Sequence, residues 1–565
     1  MYFVDTIEVP GLGNRGYLAG GAHSAVVVDP PRDIDRVITA AARRGVRITH
    51  VVETHVHNDY VTGGLELARL TGAAYLVPAA ARVAYARVPV ADGDRTHIED
   101  DLVLRALATP GHTPHHTSYV LEEAGHAVAV FTGGSLLIGT VGRPDLVEPG
   151  LTGGLARAQY DSAHRLAAEL PDETRVLPTH GFGSFCSAGQ SAGGTATTIG
   201  RERQVNDALV KDVDTFVAEL LAALDDVPAY YAHMGPANTQ GPAPVDLTPP
   251  RQADAEEIAA RLAAGEWVVD LRHRVAFAEG HVAGSVNFEA EGQLATYLAW
   301  LLPWGKPVTL LAESPAQLAA AQRELVRVGI DRPAAAATGS PADWVRPGER
   351  PHSFPRGTFA DLAAQEGVIT LDVRRDSERH SGHIKRSLHI PVHELRGRLS
   401  EIPDGTVWVH CAGGMRAGIA ASILDAAGRD VVAVDDSFDS ARAAGLPMAR
   451  VTPAEARERT DAGAVLVDVR EAPEWAEGHA PGAVLAPLSA LTSGEPLPES
   501  ARSRPVVAIC RSGKRSREAA ALLSARGAEV VDVVGGMRAW TEAGLPVVAE
   551  AGLSEVAESG ASGAE

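Results

Sequence analysis

The 565-residue chain carries 51 basic and 72 acidic side chains, and its net charge of −21 argues against nucleic acid or an anionic membrane as a partner. Its apolar fraction of 45% is enough for several cores, and the length suggests about four domains. Cys186, Cys411 and Cys510 are odd in number and widely spaced, so they exclude a disulfide framework; with no leader-like or membrane-spanning run, a cytoplasmic protein is expected.

The first 235 residues alternate short apolar runs with amphipathic stretches. Ser24 to Val28 reads as a strand ending in a turn at Asp29-Pro30, Ile34 to Arg43 has helical spacing, and Val46 to Val52 reads as a buried β-branched strand. That strand runs into Thr54-His55-Val56-His57-Asn58-Asp59-Tyr60, and Val61 to Ala68 opens a helix. Two imidazoles and a carboxylate on one strand-to-helix loop suit a borderline transition metal such as zinc or iron. Further strands at 102–107, 127–131 and 175–178 end in loops that carry His112, Thr132-Gly133-Gly134 and Thr179-His180-Gly181. Loops at strand ends are where a sheet scaffold carries chemistry.

Residues 233 to 252 are rich in Pro and Gly and read as a linker. Beyond them lies an internal repeat of close to one hundred residues. Asp270-Leu271-Arg272, Asp372-Val373-Arg374 and Asp468-Val469-Arg470 are each followed at the same offset by Gly-His: Gly280-His281, Gly382-His383 and Gly478-His479. Strands alternate with helical segments in each unit, which favours a parallel sheet covered by helices. A Pro-rich segment at 340–357 separates the first two units. The acidic, aromatic-free tail 551–565 reads as disordered.

Two of the repeats place a cysteine directly after a strand. Cys411-Ala412-Gly413-Gly414-Met415-Arg416 and Cys510-Arg511-Ser512-Gly513-Lys514-Arg515 each give Cys, a Gly-bearing loop, Arg and a helix start. A loop curled around sulfur turns backbone N–H groups inward, and the helix N-terminus adds positive potential, which together favour a thiolate and an anionic substrate group. Ala312 stands at the corresponding place in the first repeat and cannot form a persulfide, so that unit is expected to be inert, a spacer or docking module.

Taken together, Thr54 to Gly64, Pro110-Gly111-His112-Thr113, Phe131-Thr132-Gly133, Gly142-Arg143-Pro144-Asp145 and Pro178-Thr179-His180-Gly181 resemble the metallo-β-lactamase fold, and within it the persulfide dioxygenase branch related to hydroxyacylglutathione hydrolases. The Asp-Val-Arg, Gly-His and Cys-x4-Arg signatures resemble rhodanese domains, whose loop is one residue shorter than that of phosphatases of related fold. The resemblance implies a multidomain α/β chain: an αββα metallo-β-lactamase sandwich over 1–235, an inactive rhodanese-like domain over 252–345, and rhodanese domains over 355–448 and 452–550, each with a parallel sheet.

For the front domain the resemblance implies metal ligation by His55, His57 and His112, with Asp59 and His180 as further ligands or outer-shell groups. One non-haem Fe(II) is expected, with Zn as the alternative. The family's iron-binding Asp maps to Gly134, and Tyr60 replaces the His that a second metal would need, so a two-metal hydrolase is disfavoured. Cys411 with Arg416 and Cys510 with Arg515 are the expected sulfur-transfer residues, and Cys186 a candidate for handling sulfur near the metal. The implied function is oxidation of a low-molecular-weight thiol persulfide to sulfite by O2, with sulfane sulfur from thiosulfate or polysulfide carried on Cys persulfides, in sulfide or persulfide detoxification. Two alternatives stand beside it: a sulfurtransferase with a zinc-bound or degenerate front domain, and a persulfide sensor or carrier. The sequence leaves a homo-oligomer open.

Overall fold

The computed structural model describes residues 2–188, 194–502 and 504–549; the tail read as disordered lies outside these. None of the helices in the described residues is long and apolar enough to cross a membrane.

The front domain is built on two six-stranded sheets. The first runs in chain order through β1 (Phe3–Val9), β2 (Asn14–Gly20), β3 (Ser24–Val28), β4 (Arg47–Val52), β5 (Ala74–Pro78) and β6 (Val88–Val90), antiparallel up to β3 and parallel from there on. The second holds β7 (Arg95–Glu99), β8 (Leu102–Ala108), β9 (Thr117–Glu123), β10 (His126–Gly133), β11 (Arg175–Pro178) and β12 (Thr197–Thr198). Side chains alternate across each strand with a period of two. In β3, Val26 and Val28 join Val52, Leu76, Leu104, Leu121 and Phe131 between the sheets, whereas Ala25 and Val27 face helices Asp35–Arg44 and Gly64–Thr71. Val120, Val130 and Val176 pack outward under helix Thr152–Glu169. The layers are therefore αββα, and each fully buried Val, Leu or Phe is worth about 1.5–3 kcal/mol.

The segment expected to be a linker contains helix Tyr231–Gln240. Pro and Gly weigh against a helix locally, but tertiary contacts override them here. Met234 is buried with Tyr60, Val61 and Cys186, and the Asn238 amide donates to the carbonyls of His57 and Tyr60, both at 2.8 Å, while its Oδ1 accepts from the Thr62 N–H at 3.0 Å. This helix fastens the loop that carries His55, His57 and Asp59.

The first repeat packs on the front domain. Ala295, Ala299 and Val328 complete the apolar cluster around Tyr60 and Cys186. Arg327 forks onto Asp33, Nε–H to Oδ1 at 2.9 Å and Nη2–H to Oδ2 at 2.7 Å. Burial raises the Asp33 carboxyl, but the Arg327 hydrogen bond and charge outweigh it and hold the group below its ordinary value. A depressed carboxyl contributes stability that is present above its unfolded value of about 3.9 and lost as pH falls through the folded one, so this clamp weakens only in acid. Arg327→Ala leaves the buried Asp33 with the longer contacts to Arg36 and Arg323, both at 3.5 Å, and is expected to cost about 3 kcal/mol, read as a lower denaturation midpoint at neutral pH and a smaller difference from wild type in acid.

The repeated sequence signature has one structural cause. The Arg of each Asp-x-Arg pairs with its own Asp and reaches the carbonyl of the Gly before His: Arg272 to Asp270 at 2.6 Å and Gly280 at 2.7 Å, Arg374 to Asp372 at 2.8 Å and Gly382 at 2.7 Å, and Arg470 to Asp468 at 2.7 Å and Gly478 at 2.7 Å. The buried guanidinium staples the end of the first strand to the end of the helix that follows. The sheets are parallel. Trp267–Asp270 pairs with Val286–Asn287 and Val308–Ala312 in the first repeat, and Val465–Asp468 with Val484–Leu485 and Val506–Ile509 in the third. In the second, Ile369–Asp372 pairs with Leu388–His389, and Val407–His410 with Val431–Val434.

Candidate active sites

The ends of β4, β8 and β11 bring His55, His112 and His180 together, their ligand atoms all within 4.8 Å of one another. The hydrogen bonds fix which nitrogen faces the centre. His112 Nδ1 lies 2.8 Å from the Arg143 carbonyl, which can only accept, so Nδ1 carries the hydrogen and Nε2 is left with a lone pair. His55 Nδ1 lies 2.8 Å from Thr54 Oγ1, whose own hydrogen goes to Asp29 Oδ2 at 2.8 Å. His180 Nδ1 meets Asn14 Oδ1 at 3.1 Å and Asp59 Oδ2 at 3.2 Å. Each ring thus donates backwards and points Nε2 inward, and the Nε2 atoms of His55 and His180 stand 3.4 Å apart. Lone pairs facing one another in a buried site are what a metal cation satisfies, and backward donation to a carbonyl or carboxylate is the usual support of a metal-binding His.

Three further observations fit a metal. His112 Nε2, His57 Nδ1 and Asp59 Oδ1 are buried without a hydrogen-bond partner among the described residues. Burial, then the charge of neighbouring His180, pushes His112 down to about 3, and burial with His57 and His112 nearby holds His55 well below its usual value. Both rings are therefore neutral, the form a metal binds. His57, Asp59 and His180 form a second group of donors within 4.8 Å.

His57 also faces two buried carboxylates, Glu53 Oε2 at 3.1 Å and Asp29 Oδ1 at 3.3 Å. Burial disfavours its charge, yet the Asp29 and Glu53 carboxylates push His57 up to about 10. His57 must therefore give up a proton to ligate. Glu53 is itself held by Thr62 Oγ1 at 2.6 Å and Tyr75 OH at 2.8 Å. Asp29 collects the Thr54 amide at 2.7 Å and the Thr54 and Thr179 hydroxyls, which ties the β3, β4 and β11 ends into one frame.

Gly134 is more than a position without a carboxylate. A Cβ built there would lie 2.2 Å from His112 Cδ2, so the His112 ring fills the space a side chain would take. Tyr60 is buried with its ring 4.4 Å from that of His57 and donates its hydroxyl to the Asp29 carbonyl at 3.3 Å, so its side chain packs and adds no donor. Gly134→Ala is expected to displace His112 and weaken metal binding by roughly tenfold or more, measured by metal titration with the fold checked by circular dichroism.

Cys186 lies in the apolar cluster with its Sγ 3.8 Å from Tyr231 OH, and burial raises its thiol well above the usual value. A cleft of about 760 Å³ opens beside the metal loop, lined by Val56, Asn58, Arg82, His115, Tyr231 and Thr239. Its size suits a small-molecule substrate, and among the described lining residues Arg82 supplies the charge.

The sulfur loops are contiguous in the chain. Cys510 is buried at the end of Val506–Ile509, and the Gly513 N–H points at its Sγ from 3.2 Å. Gly513 has φ +86° at the cap of helix Lys514–Ala525, a conformation that favours glycine. Gly535-Gly536-Met537 holds the loop from outside: the Met537 N–H donates to the Cys510 carbonyl at 2.7 Å, and a Cβ at Gly536 would meet that oxygen at 2.1 Å. Arg515 is oriented by a bidentate pair with Glu474 at 2.6 and 2.7 Å. Cys411 is buried after Val407–His410, and Arg416 is buried in the first turn of helix Met415–Ala426. In the first repeat, Ala312 is followed by Ser314, whose hydroxyl accepts from the Gln317 N–H at 3.2 Å as an ordinary helix cap, with no cysteine to enclose.

The metallo-β-lactamase superfamily model matches residues 10–180, and the rhodanese-like domain model matches 254–346, 356–444 and 452–543. The human mitochondrial persulfide dioxygenase ETHE1 is 32% identical over 208 residues, 36% of this chain and 73% of that protein. A hydroxyacylglutathione hydrolase of Cereibacter sphaeroides is 35% identical over 188 residues, 32% of this chain and 67% of that protein. A crystal structure of a metallo-β-lactamase from Staphylococcus aureus aligns with a TM-score of 0.54 at 25% identity, covering 60% of this chain and 99% of the other. The chain belongs to the persulfide dioxygenase–rhodanese family.

Within that family's frame, several residues that shape the site carry no motif of their own. Asn14 bridges Asp59, at 2.7 Å, and His180. His116 accepts the Gly134 N–H at 3.0 Å and lies against His55 with ring centroids 5.0 Å apart. The one sequence signal for Asp29 is its place at a strand end before Pro30.

Proposed function

We propose that this persulfide dioxygenase–rhodanese chain oxidises a low-molecular-weight thiol persulfide to sulfite at the front domain and moves sulfane sulfur through persulfides on Cys411 and Cys510. The observation that carries the front-domain reading is the convergence of His55, His112 and His180 beside the cleft, with Tyr60 and Gly134 standing where a two-metal hydrolase needs a His and a bridging Asp. His55, His112 and His180 would hold a single iron ion, with His57 and Asp59 alongside; such an ion supplies the O2 chemistry that protein side chains lack. The residues do the rest. Asn14, Thr54 and the Arg143 carbonyl orient the rings, Arg82 offers a cation to the thiol carrier's anionic end, and the Asp29–His57–Glu53 group sets the charge around the centre. Overall, persulfide, O2 and water give thiol and sulfite, the outer sulfur being oxidised and O2 reduced.

At the rhodanese loops, a Cys thiolate attacks the outer sulfur of thiosulfate, a Cys persulfide forms, and sulfite leaves. A thiol then takes the sulfur and restores the cysteine. Housing both activities in one chain raises the local concentration of persulfide near its consumer. Thioester hydrolysis separates this reading from that of the hydroxyacylglutathione hydrolases. Metal-replete protein is expected to form sulfite from a thiol persulfide under O2 and to leave a glutathione thioester intact; thioester turnover without sulfite would overturn the proposal.

A further inference from the structure

Away from both chemistries, His281, His352 and Asp425 bring their ligand atoms within 4.8 Å of one another. His281 is the His of the first repeat's Gly-His signature. Its Nδ1 lies 2.8 Å from the Phe277 carbonyl, and the equivalent His383 and His479 make the same bond one helical turn back, at 3.2 and 3.1 Å. A carbonyl accepts only, so in His281 Nδ1 carries the hydrogen and Nε2 is the nitrogen left to take a proton or a metal. That Nε2 is buried and stands 3.0 Å from Asp425 Oδ2, a contact that a proton or a metal ion between the two atoms satisfies. His352, from the Pro-rich segment between repeats, brings Nδ1 to the same carboxylate at 3.1 Å. Reciprocal backbone bonds, His281 N to His352 O at 2.9 Å and His352 N to His281 O at 2.8 Å, fix the two rings, and His281 is further held by stacking on Phe277 with centroids 4.0 Å apart. Among the described residues, neither His383 nor His479 belongs to such a cluster.

We propose that His281, His352 and Asp425 form a binding site for a divalent transition metal of the zinc type, which clips the first repeat and the following segment to helix Met415–Ala426. The donor set, two imidazoles and one carboxylate, is one that zinc accepts, and the backward bond of His281 to a carbonyl is the support such a ligand ordinarily has. His352 is half-exposed, with 55% of its side chain accessible, which leaves a fourth position open to water. The clip gives the cysteine-less repeat a mechanical role independent of the reading of the front domain.

The test is equilibrium dialysis of the demetallated full chain against Zn²⁺, with Co²⁺ as an absorbing substitute, for wild type, His352→Ala, Asp425→Asn and His112→Ala. His352→Ala and Asp425→Asn are each expected to bind one equivalent fewer than wild type, or to bind it at least tenfold more weakly, and to lose part of the Zn²⁺-induced rise in melting temperature. His112→Ala is expected to keep that equivalent. Because His352 is exposed, its substitution tests the site without threatening the fold, and thiosulfate sulfurtransferase activity checks that the variant is native. Unchanged stoichiometry and affinity in both clip variants would mean a hydrogen-bonded ion pair only, and would overturn the proposal.

Discussion

The double substitution Cys411→Ser/Cys510→Ser is expected to abolish sulfur transfer from thiosulfate to cyanide, a fall of about a thousandfold or more, while each single variant keeps the share of the other loop. The reason is geometric. In the third rhodanese the Gly513 N–H already points at Cys510 Sγ, and the loop is held by Met537 and by the tight approach of Gly536. Serine fits that space but is a far weaker nucleophile at neutral pH. The first repeat cannot compensate, because Ala312 provides no thiol and Ser314 spends its hydroxyl on capping a helix. Cyanolysis measured on the four proteins, wild type, two singles and the double, reads this directly. Residual turnover in the double variant would place sulfur transfer outside these loops.

The second large effect is expected at the front. His112→Ala removes the ring that covers Gly134 and presents an unpartnered Nε2 to the centre. Metal affinity should drop by at least about a hundredfold, beyond the 10–100-fold that loss of a supporting residue costs. Oxygen uptake with a thiol persulfide should drop with it, while cyanolysis at the rhodanese loops persists. Metal analysis beside both assays separates loss of the metal from loss of the fold. Asp59→Asn gives a contrast: it keeps the Asn14 contact but removes the carboxylate that faces His180 and His57.

How legible each feature is in the sequence follows from how local it is. The Asp-x-Arg and Gly-His signatures are legible because the staple they encode, Arg470 to Asp468 and to the Gly478 carbonyl, closes within a few residues. The Cys510 loop is legible for the same reason: cradle and sulfur are contiguous. The candidate metal histidines can be named as residues, but the partners that choose their tautomers cannot. Thr54 becomes the acceptor for His55 only because Asp29, at the end of a neighbouring strand, takes its hydrogen. Asn14 joins Asp59, 45 residues on, to His180, 166 residues on. The segment 233–252 reads as a linker from its Pro and Gly, yet it contains a helix because Asn238 finds the His57 and Tyr60 carbonyls, a long-range contact that composition does not encode.

Oxygen uptake by protein of known metal content, with a low-molecular-weight thiol persulfide as substrate, is the decisive measurement for dioxygenase activity at the front domain. O2 is expected to be consumed and sulfite formed in equal amounts by wild type and by the Cys411→Ser/Cys510→Ser variant alike, and His112→Ala to do neither. Metal-replete wild-type protein that transfers sulfur but takes up no oxygen would contradict this expectation.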